Sequence, residues 1–238
     1  MPSDATTSPA FHRIERYHPR VDGFATLRSH YAQLHYVPFP DFVTADFFPE
    51  LKSDVDALLQ RSMRRDFLME CMDNSPRRMN VVNGNTIERF SRWIPKVYTD
   101  PAILDFLSEL IGERVMPLVD DIDRYVINQL RQSSDTFGAH FDDYPLSVVI
   151  VLESPGVEGG GHVEMVPNAN ALADLEKSPI RLPLRAGDAY LLKSDTTAHR
   201  VAPLTVDTQR TAINLAYTTP GYTPRQTVSA SKLYAEDP

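Results

Sequence analysis

The chain has 238 residues, 42% of them hydrophobic, with a formal net charge of −8 and a pI near 5.3. That length suits one globular domain with a sizeable core, and the acidic balance argues against a broad nucleic-acid footprint. A single cysteine, Cys71, excludes a disulfide framework, and no apolar run approaches the ~20 residues of a membrane span, so a cytoplasmic protein without membrane contact is expected.

Residues 1–20 read as a flexible N-terminal arm, polar at its start and without the basic and apolar regions of a signal peptide. Residues 21–238 read as a single domain, with a helical layer over about 21–120 and a strand-rich core over about 121–220. A short helix is expected over 23–34. Over 45–63, Phe47, Leu51, Val55, Leu58 and Leu59 recur at helical spacing, although Pro49 disturbs the first turn. Arg77 and Arg78 follow Ser75-Pro76 in what reads as a solvated loop, and Trp93 reads as a core residue. Asp100 as cap, Pro101 in the first turn, the stripe Ile103, Leu104, Leu107, Ile111 and the stop at Gly112 predict a helix over 101–111.

From about Arg124 the pattern changes to short strands, at 125–130, 146–152, 162–166, 181–184, 188–192, 199–202 and 210–217, separated by Gly, Pro and Asp. The run 146–152 is apolar apart from Ser147, as expected of a strand buried on both faces. Helices first and strands after predict a mainly β fold with N-terminal helices, a jelly roll of the cupin-like, double-stranded β-helix kind.

Four residues carry the chemistry. His140 and Asp142 are two apart, so a strand would point both to one face. His199 opens a later strand, and Arg210 follows after ten intervening residues, about one hairpin away. Two imidazoles and one carboxylate with open positions form the facial triad of a non-haem Fe(II) oxygenase. Arg210 supplies a fixed bidentate partner for the far carboxylate of a 2-oxo acid such as 2-oxoglutarate, with O2 as the oxidant. Asn214 shares the parity of Arg210 and should face the same cavity. His162 reads as half-buried or as a supporting donor, and Asp188 as a turn carboxylate. His12, His18, His30 and His35 read as structural or solvated. A cupin-like module that holds metal without turnover is the non-enzymatic alternative.

The runs 138–145 (Gly-Ala-His-Phe-Asp-Asp-Tyr-Pro), 148–155 (Val-Val-Ile-Val-Leu-Glu-Ser-Pro) and 160–167 (Gly-Gly-His-Val-Glu-Met-Val-Pro) resemble the free-amino-acid halogenases and hydroxylases among the Fe(II)/2-oxoglutarate enzymes, the group that includes the lysine chlorinases. The resemblance covers about residues 65–220. It implies a double-stranded β-helix with iron in its mouth and Arg210 on the cosubstrate carboxylate. It also implies Arg77 on the carboxylate of an amino acid, Asp123 and Asp143 on its amines, and Asn214 as a further substrate contact. The halogenases replace the carboxylate ligand with a small residue, which frees a site for chloride. Here Asp142 is present, so the resemblance implies hydroxylation. The group's lysine enzymes carry a longer acid at the place of Asp123 and a Thr at that of Ala216, so another free amino acid, basic ones such as ornithine included, is as compatible as lysine. Desaturation, cyclisation or epimerisation with the same cofactors, and a carrier-bound substrate, stay open. So does a homodimer.

Overall fold

The structure is a computed structural model and describes residues 21–156, 158–223 and 227–235, so the arm expected over 1–20 lies outside the described residues. In chain order the elements are α1 (Val21–Leu34), β1 (Tyr36–Phe39), α2 (Phe48–Leu59), β2 (Met63–Met69), β3 (Ser75–Val82), α3 (Gly84–Phe90), α4 (Ile94–Tyr98), α5 (Pro101–Ile111) and β4 (Met116–Pro117). There follow β5 (Tyr125–Leu130), β6 (Thr136–His140), β7 (Leu146–Glu153), β8 (Val163–Val166), β9 (Ile180–Leu182), β10 (Ala189–Leu192), β11 (Ala198–Val201), β12 (Arg210–Thr218) and α6 (Ser229–Tyr234).

The strands form one strongly curled antiparallel sheet in the order β1-β10-β7-β12-β5-β3-β6-β11-β8-β9, with β2 added to β3 and β4 to β12. This is the double-stranded β-helix. Side-chain alternation divides its two faces. On β7, Val148, Ile150 and Leu152 pack toward the helices with Leu51, Phe106 and Leu107, while Val149 points into the curl with Tyr190, Leu192 and Ala212. On β12, Ile213, Leu215 and Tyr217 join the helix side, and Arg210, Ala212 and Asn214 line the interior. Every residue of β7 except Glu153 is buried, which accounts for its near-continuous apolar run.

Helix α5 forms where its signals place it. Asp100 accepts from the Ala102 amide at 2.8 Å, Pro101 opens the first turn, and Gly112 adopts φ 78° at the end. Its buried residues are Ile103, Phe106, Leu107 and Leu110, each worth about 1.5–3 kcal/mol relative to exposure. Leu104 and Ile111 only flank the core. Helix α2 is shorter than the apolar spacing suggested, because its first turn waits for Pro49. Trp93 packs edge-on against Phe47 at 5.0 Å, on the margin of the helix-side core.

The expected loop around Arg77 is instead a strand. β3 pairs with β2 from Ser75 to Val81 along one edge, and its other edge is shared by β6, opposite Arg77 and Arg78, and β5, opposite Asn80, Val81 and Val82. The approach to β6 is close enough to need glycine there: a Cβ on Gly138 would stand 2.6 Å from the Pro76 carbonyl oxygen. Arg77 is consequently buried and Arg78 exposed. Arg64 pairs with Asp135, and buried Arg65 donates to the carbonyls of Leu233 and Ala235 at the end of α6. Asn83 adds a third donation, to the Tyr234 carbonyl at 2.8 Å. These side chains seat α6 over one end of the curl.

Candidate metal centre and its pockets

His140 ends β6 and stands directly opposite His199 on the neighbouring β11, with ring centroids 4.1 Å apart. Asp142 is not on the strand with His140, as the two-residue spacing had suggested; it lies in the loop that follows. Its amide donates to the Ser194 carbonyl at 3.1 Å, which swings the carboxyl back under the two rings. Arg210 also arrives differently. β12 pairs with β5, β7 and β4 rather than with β11, so Arg210 reaches the cavity from the other half of the curl.

The three donors are oriented by their neighbours. His140 Nδ1 lies 2.8 Å from the Gly138 carbonyl and His199 Nδ1 2.9 Å from the Thr197 carbonyl, so each Nδ1–H donates to the backbone and each Nε2 keeps its lone pair. Asp142 Oδ1 lies 3.6 Å from His140 Nε2 and 3.8 Å from His199 Nε2, too far for hydrogen bonds. Ser147, on β7, donates to the other oxygen, Oδ2, at 2.8 Å. Burial, with the His199 ring and Arg77 adding, holds His140 well below the ordinary imidazole value, in the neutral form that ligates. The ligand atoms lie within 4.8 Å of one another, and this set of two imidazoles and one carboxylate fits Fe(II).

Two small pockets meet at these donors. The inner one, about 40 Å³, is walled by Asn128, Val149, Tyr190, Arg210, Ala212 and Asn214 together with the donors. Arg210 is buried and makes no hydrogen bond or ion pair among the described residues. Burial lowers its pKa, while the neighbouring Tyr190, itself pushed up to about 12 by burial, opposes the shift. A buried, unpaired guanidinium implies an anion to complete it.

The outer pocket, about 20 Å³, is lined by Asp123, Phe141, Asp143, Tyr144, Asn214 and the α6 residues Leu233 and Tyr234, among others. Asp120 accepts from the Ile122 and Asp123 amides, both at 2.8 Å, in a turn that presents Asp123 to the pocket. Burial, with like charge from Asp142, Asp120 and Asp143, pushes the Asp123 carboxyl well above the usual range. Asp143 accepts from Thr227. Asn214 donates to the Tyr144 hydroxyl at 2.8 Å and leaves its carbonyl oxygen buried without a partner.

Arg77 lies beside this pocket, not on its wall. Its guanidinium sits 4.9 Å from the centre of the Phe137 ring, which stacks on His140 at 4.2 Å. Nη1 donates to the Ser75 hydroxyl at 2.7 Å and the Gly138 carbonyl at 3.2 Å, whereas Nε and Nη2 are buried with no partner. Burial pushes the guanidinium down to about 10. Orphaned polar atoms on Arg77, Asn128, Thr197 and Asn214 surround the donors, a concentration expected where a ligand or water completes the bonding.

His162 pairs with Glu164 at 3.1 Å, away from the donors, and Asp188 accepts amides from Asp41 and Arg185 as a turn carboxylate. His30 packs against Tyr36; His12 and His18 lie outside the described residues. The sequence reading missed Ser147, Tyr190 and Tyr234. The first had one signal, a lone hydroxyl in an apolar strand.

The fold is similar to that of the non-haem α-ketoglutarate-dependent epimerase SnoN from nogalamycin biosynthesis, with a TM-score of 0.69 and 17% identity over 92% of this chain and 90% of that one. It is also similar to the carbocyclase SnoK from the same biosynthesis (TM-score 0.67, 17% identity, 86% and 87% covered). A third likeness is a prolyl hydroxylase from Trichoplax adhaerens, in complex with a hypoxia inducible factor peptide (TM-score 0.63, 15% identity, 87% and 91% covered). No curated protein matches the chain by sequence. The model of one protein family, HalD (Halogenase D), matches residues 20–234, nearly the whole chain, and the chain therefore belongs to the halogenase D family.

Proposed function

We propose that this chain is an Fe(II)- and 2-oxoglutarate-dependent oxygenase that hydroxylates an unactivated C–H bond of a free amino acid. The observation that carries the reading is the inner pocket. A two-His, one-carboxylate donor set and a buried, unpaired arginine face one space, as a metal-chelated dicarboxylate requires. A solved structure of SnoN, similar in fold (TM-score 0.68, 17% identity), contains Fe3+ and α-ketoglutarate.

In this reading His140, Asp142 and His199 hold Fe(II), and Arg210 neutralises the far carboxylate of 2-oxoglutarate beside the Tyr190 hydroxyl. When bound, the iron with 2-oxoglutarate and O2 supplies the oxidising power for the C–H bond. The protein's task is placement, and an error of ~1 Å costs on the order of a hundredfold in rate. Arg77 supplies a carboxylate-binding fork beside the pocket, while Asp123, Asp143 and Asn214 suit the amines of a basic amino acid. Tyr144 and Tyr234 close the pocket around it.

Asp142 is what favours hydroxylation over halogenation within a family named for the latter. Its carboxylate lies between the two imidazoles and is fastened there by Ser147, so it would serve as the third protein ligand that the halogenases lack. The epimerase and carbocyclase of like fold support a second reading, in which the same site ends in rearrangement or desaturation.

The test is succinate release by anaerobically Fe(II)-loaded protein given 2-oxoglutarate, O2 and chloride, against a panel of free amino acids, with mass spectra of the products. Substrate-stimulated succinate with a product heavier by one oxygen is expected. A chlorinated product refutes the role given to Asp142, and a product lighter by two hydrogens selects the second reading. Uncoupled turnover without stimulation by any free amino acid indicates a tethered substrate, and iron binding without turnover indicates a cupin-like module.

A further inference from the structure

A groove of about 550 Å³ opens on the side of the curl away from α6 and ends on Arg210. Its wall includes Gly161, His162, Arg181, Leu184 and Arg185, and no carboxylate among the described residues lines it, although the chain carries a net charge of −8. Glu164, just behind the wall, takes Arg181 Nε at 2.9 Å and His162 at 3.1 Å, while Arg185 is exposed with no carboxylate partner among the described residues. Gly161 makes the floor. It adopts φ 68°, and a Cβ there would stand 3.0 Å from Leu204 and 3.2 Å from Arg210 Cδ, so only glycine leaves the arginine stem its place beside the groove.

The opposite approach is closed. Arg65 and Asn83 hold the C-terminal carbonyls of α6, Leu233 and Tyr234 roof the outer pocket, and Asp123 and Asp143 line it. A dicarboxylate entering there would pass the Asp123 and Asp143 carboxyls and displace a packed helix. Through the groove it would meet the unpaired guanidinium of Arg185 at the rim and that of Arg210 at the end, a cationic path.

We propose that this groove is the port through which the dicarboxylate cosubstrate enters and the dicarboxylate coproduct leaves, while α6 stays seated over the substrate pocket. The inference rests on the reading of Arg210 as the cosubstrate's carboxylate partner. It separates the exchange of 2-oxoglutarate from the pocket that α6 roofs.

Stopped-flow measurement of the Fe(II)–2-oxoglutarate charge-transfer absorption, under anaerobic conditions on the full chain, gives association and dissociation rates without turnover. Leu184→Trp, which fills the groove, is expected to slow both rates by the same factor, about tenfold or more, at unchanged Kd, the signature of a passage rather than a binding contact. Arg185→Glu, a surface change that keeps the test available should the tryptophan disturb folding, is expected to slow association about tenfold at low salt, with the difference shrinking as salt rises. Tyr234→Ala, which loosens the roof, is expected to leave both 2-oxoglutarate rates unchanged. Unaltered rates in Leu184→Trp and Arg185→Glu, or faster 2-oxoglutarate binding in Tyr234→Ala, would overturn the port. Wild-type protein that fails to bind 2-oxoglutarate at all would overturn the cosubstrate reading and the port with it.

Discussion

Replacing Ser147 by alanine removes the hydroxyl that donates to Asp142 Oδ2 at 2.8 Å, within a strand that leaves this serine 1% exposed. The carboxylate keeps only the fastening of its own backbone, the Asp142 amide on the Ser194 carbonyl. Its side chain is then free to rotate, so Oδ1 is no longer held toward both imidazoles. A hydrogen bond to a charged group contributes about 1.5–3 kcal/mol. If that contribution is realised chiefly as orientation of the ligand, metal affinity should fall about tenfold to a hundredfold, which is also the usual cost of losing a group that orients a ligand. Titration calorimetry with Co(II) on the metal-free protein reads the effect directly, and anaerobic Fe(II) competition checks it. The melting temperature without metal should change little, because the hydroxyl's partner faces a cavity and not the core. Affinity within twofold of wild type, or a loss of stability in the metal-free protein with unchanged metal affinity, would refute the assignment of Ser147 as the residue that positions Asp142.

Asp142→Gly should abolish hydroxylation, as read by product mass; retained full hydroxylation would remove Asp142 from the donor set. Arg210→Ala should raise the apparent KM for 2-oxoglutarate at least about thirtyfold, since losing one partner of a buried charge pair costs roughly 2 kcal/mol or more, with Fe(II) affinity nearly unchanged. An unaltered KM would refute its role. Arg77→Met should leave the metal-free melting temperature unchanged or higher, because a buried cation with two unpartnered donors is removed, while substrate-stimulated succinate release is lost. A fall in stability with normal stimulation would make Arg77 purely structural. For pH, burial alone would raise the Asp135 carboxyl, but the Arg64 fork and the Arg131 and Gln132 amides hold it below the ordinary value. Its contribution to stability is therefore present above about pH 3.9 and lost as the pH falls through the folded value. The urea midpoint of Asp135→Asn should accordingly fall less steeply than that of wild type below about pH 4, and parallel curves would exclude this carboxylate as the source.

The parts legible in the sequence are those carried by local periodicity. Helix α5 could be read from Asp100, Pro101 and Gly112, because capping and helix stopping are decided within one turn. The strands β5, β7 and β12 could be read from alternation or continuous apolarity, and from them the inward parity of Arg210 and Asn214. That His140, Asp142 and His199 share a site was legible from residue type and spacing, although the means by which Asp142 joins them, a loop fastened to Ser194 and Ser147, was not. What the sequence did not disclose depends on which distant segments meet. The β2–β3 hairpin is polar in sequence, and becomes a strand pair carrying a buried Arg77 only because the free edge of β3 docks along β6 and β5. The seating of α6 depends on Arg65 and Asn83, and Tyr190 meets Arg210 only when the sheet curls. Propensity and side-chain parity act over a few residues and survive in the linear chain. The burial of an arginine, the aim of a carboxylate and the choice of an entrance are set by pairings across tens to more than a hundred residues, which only the closed sheet brings about.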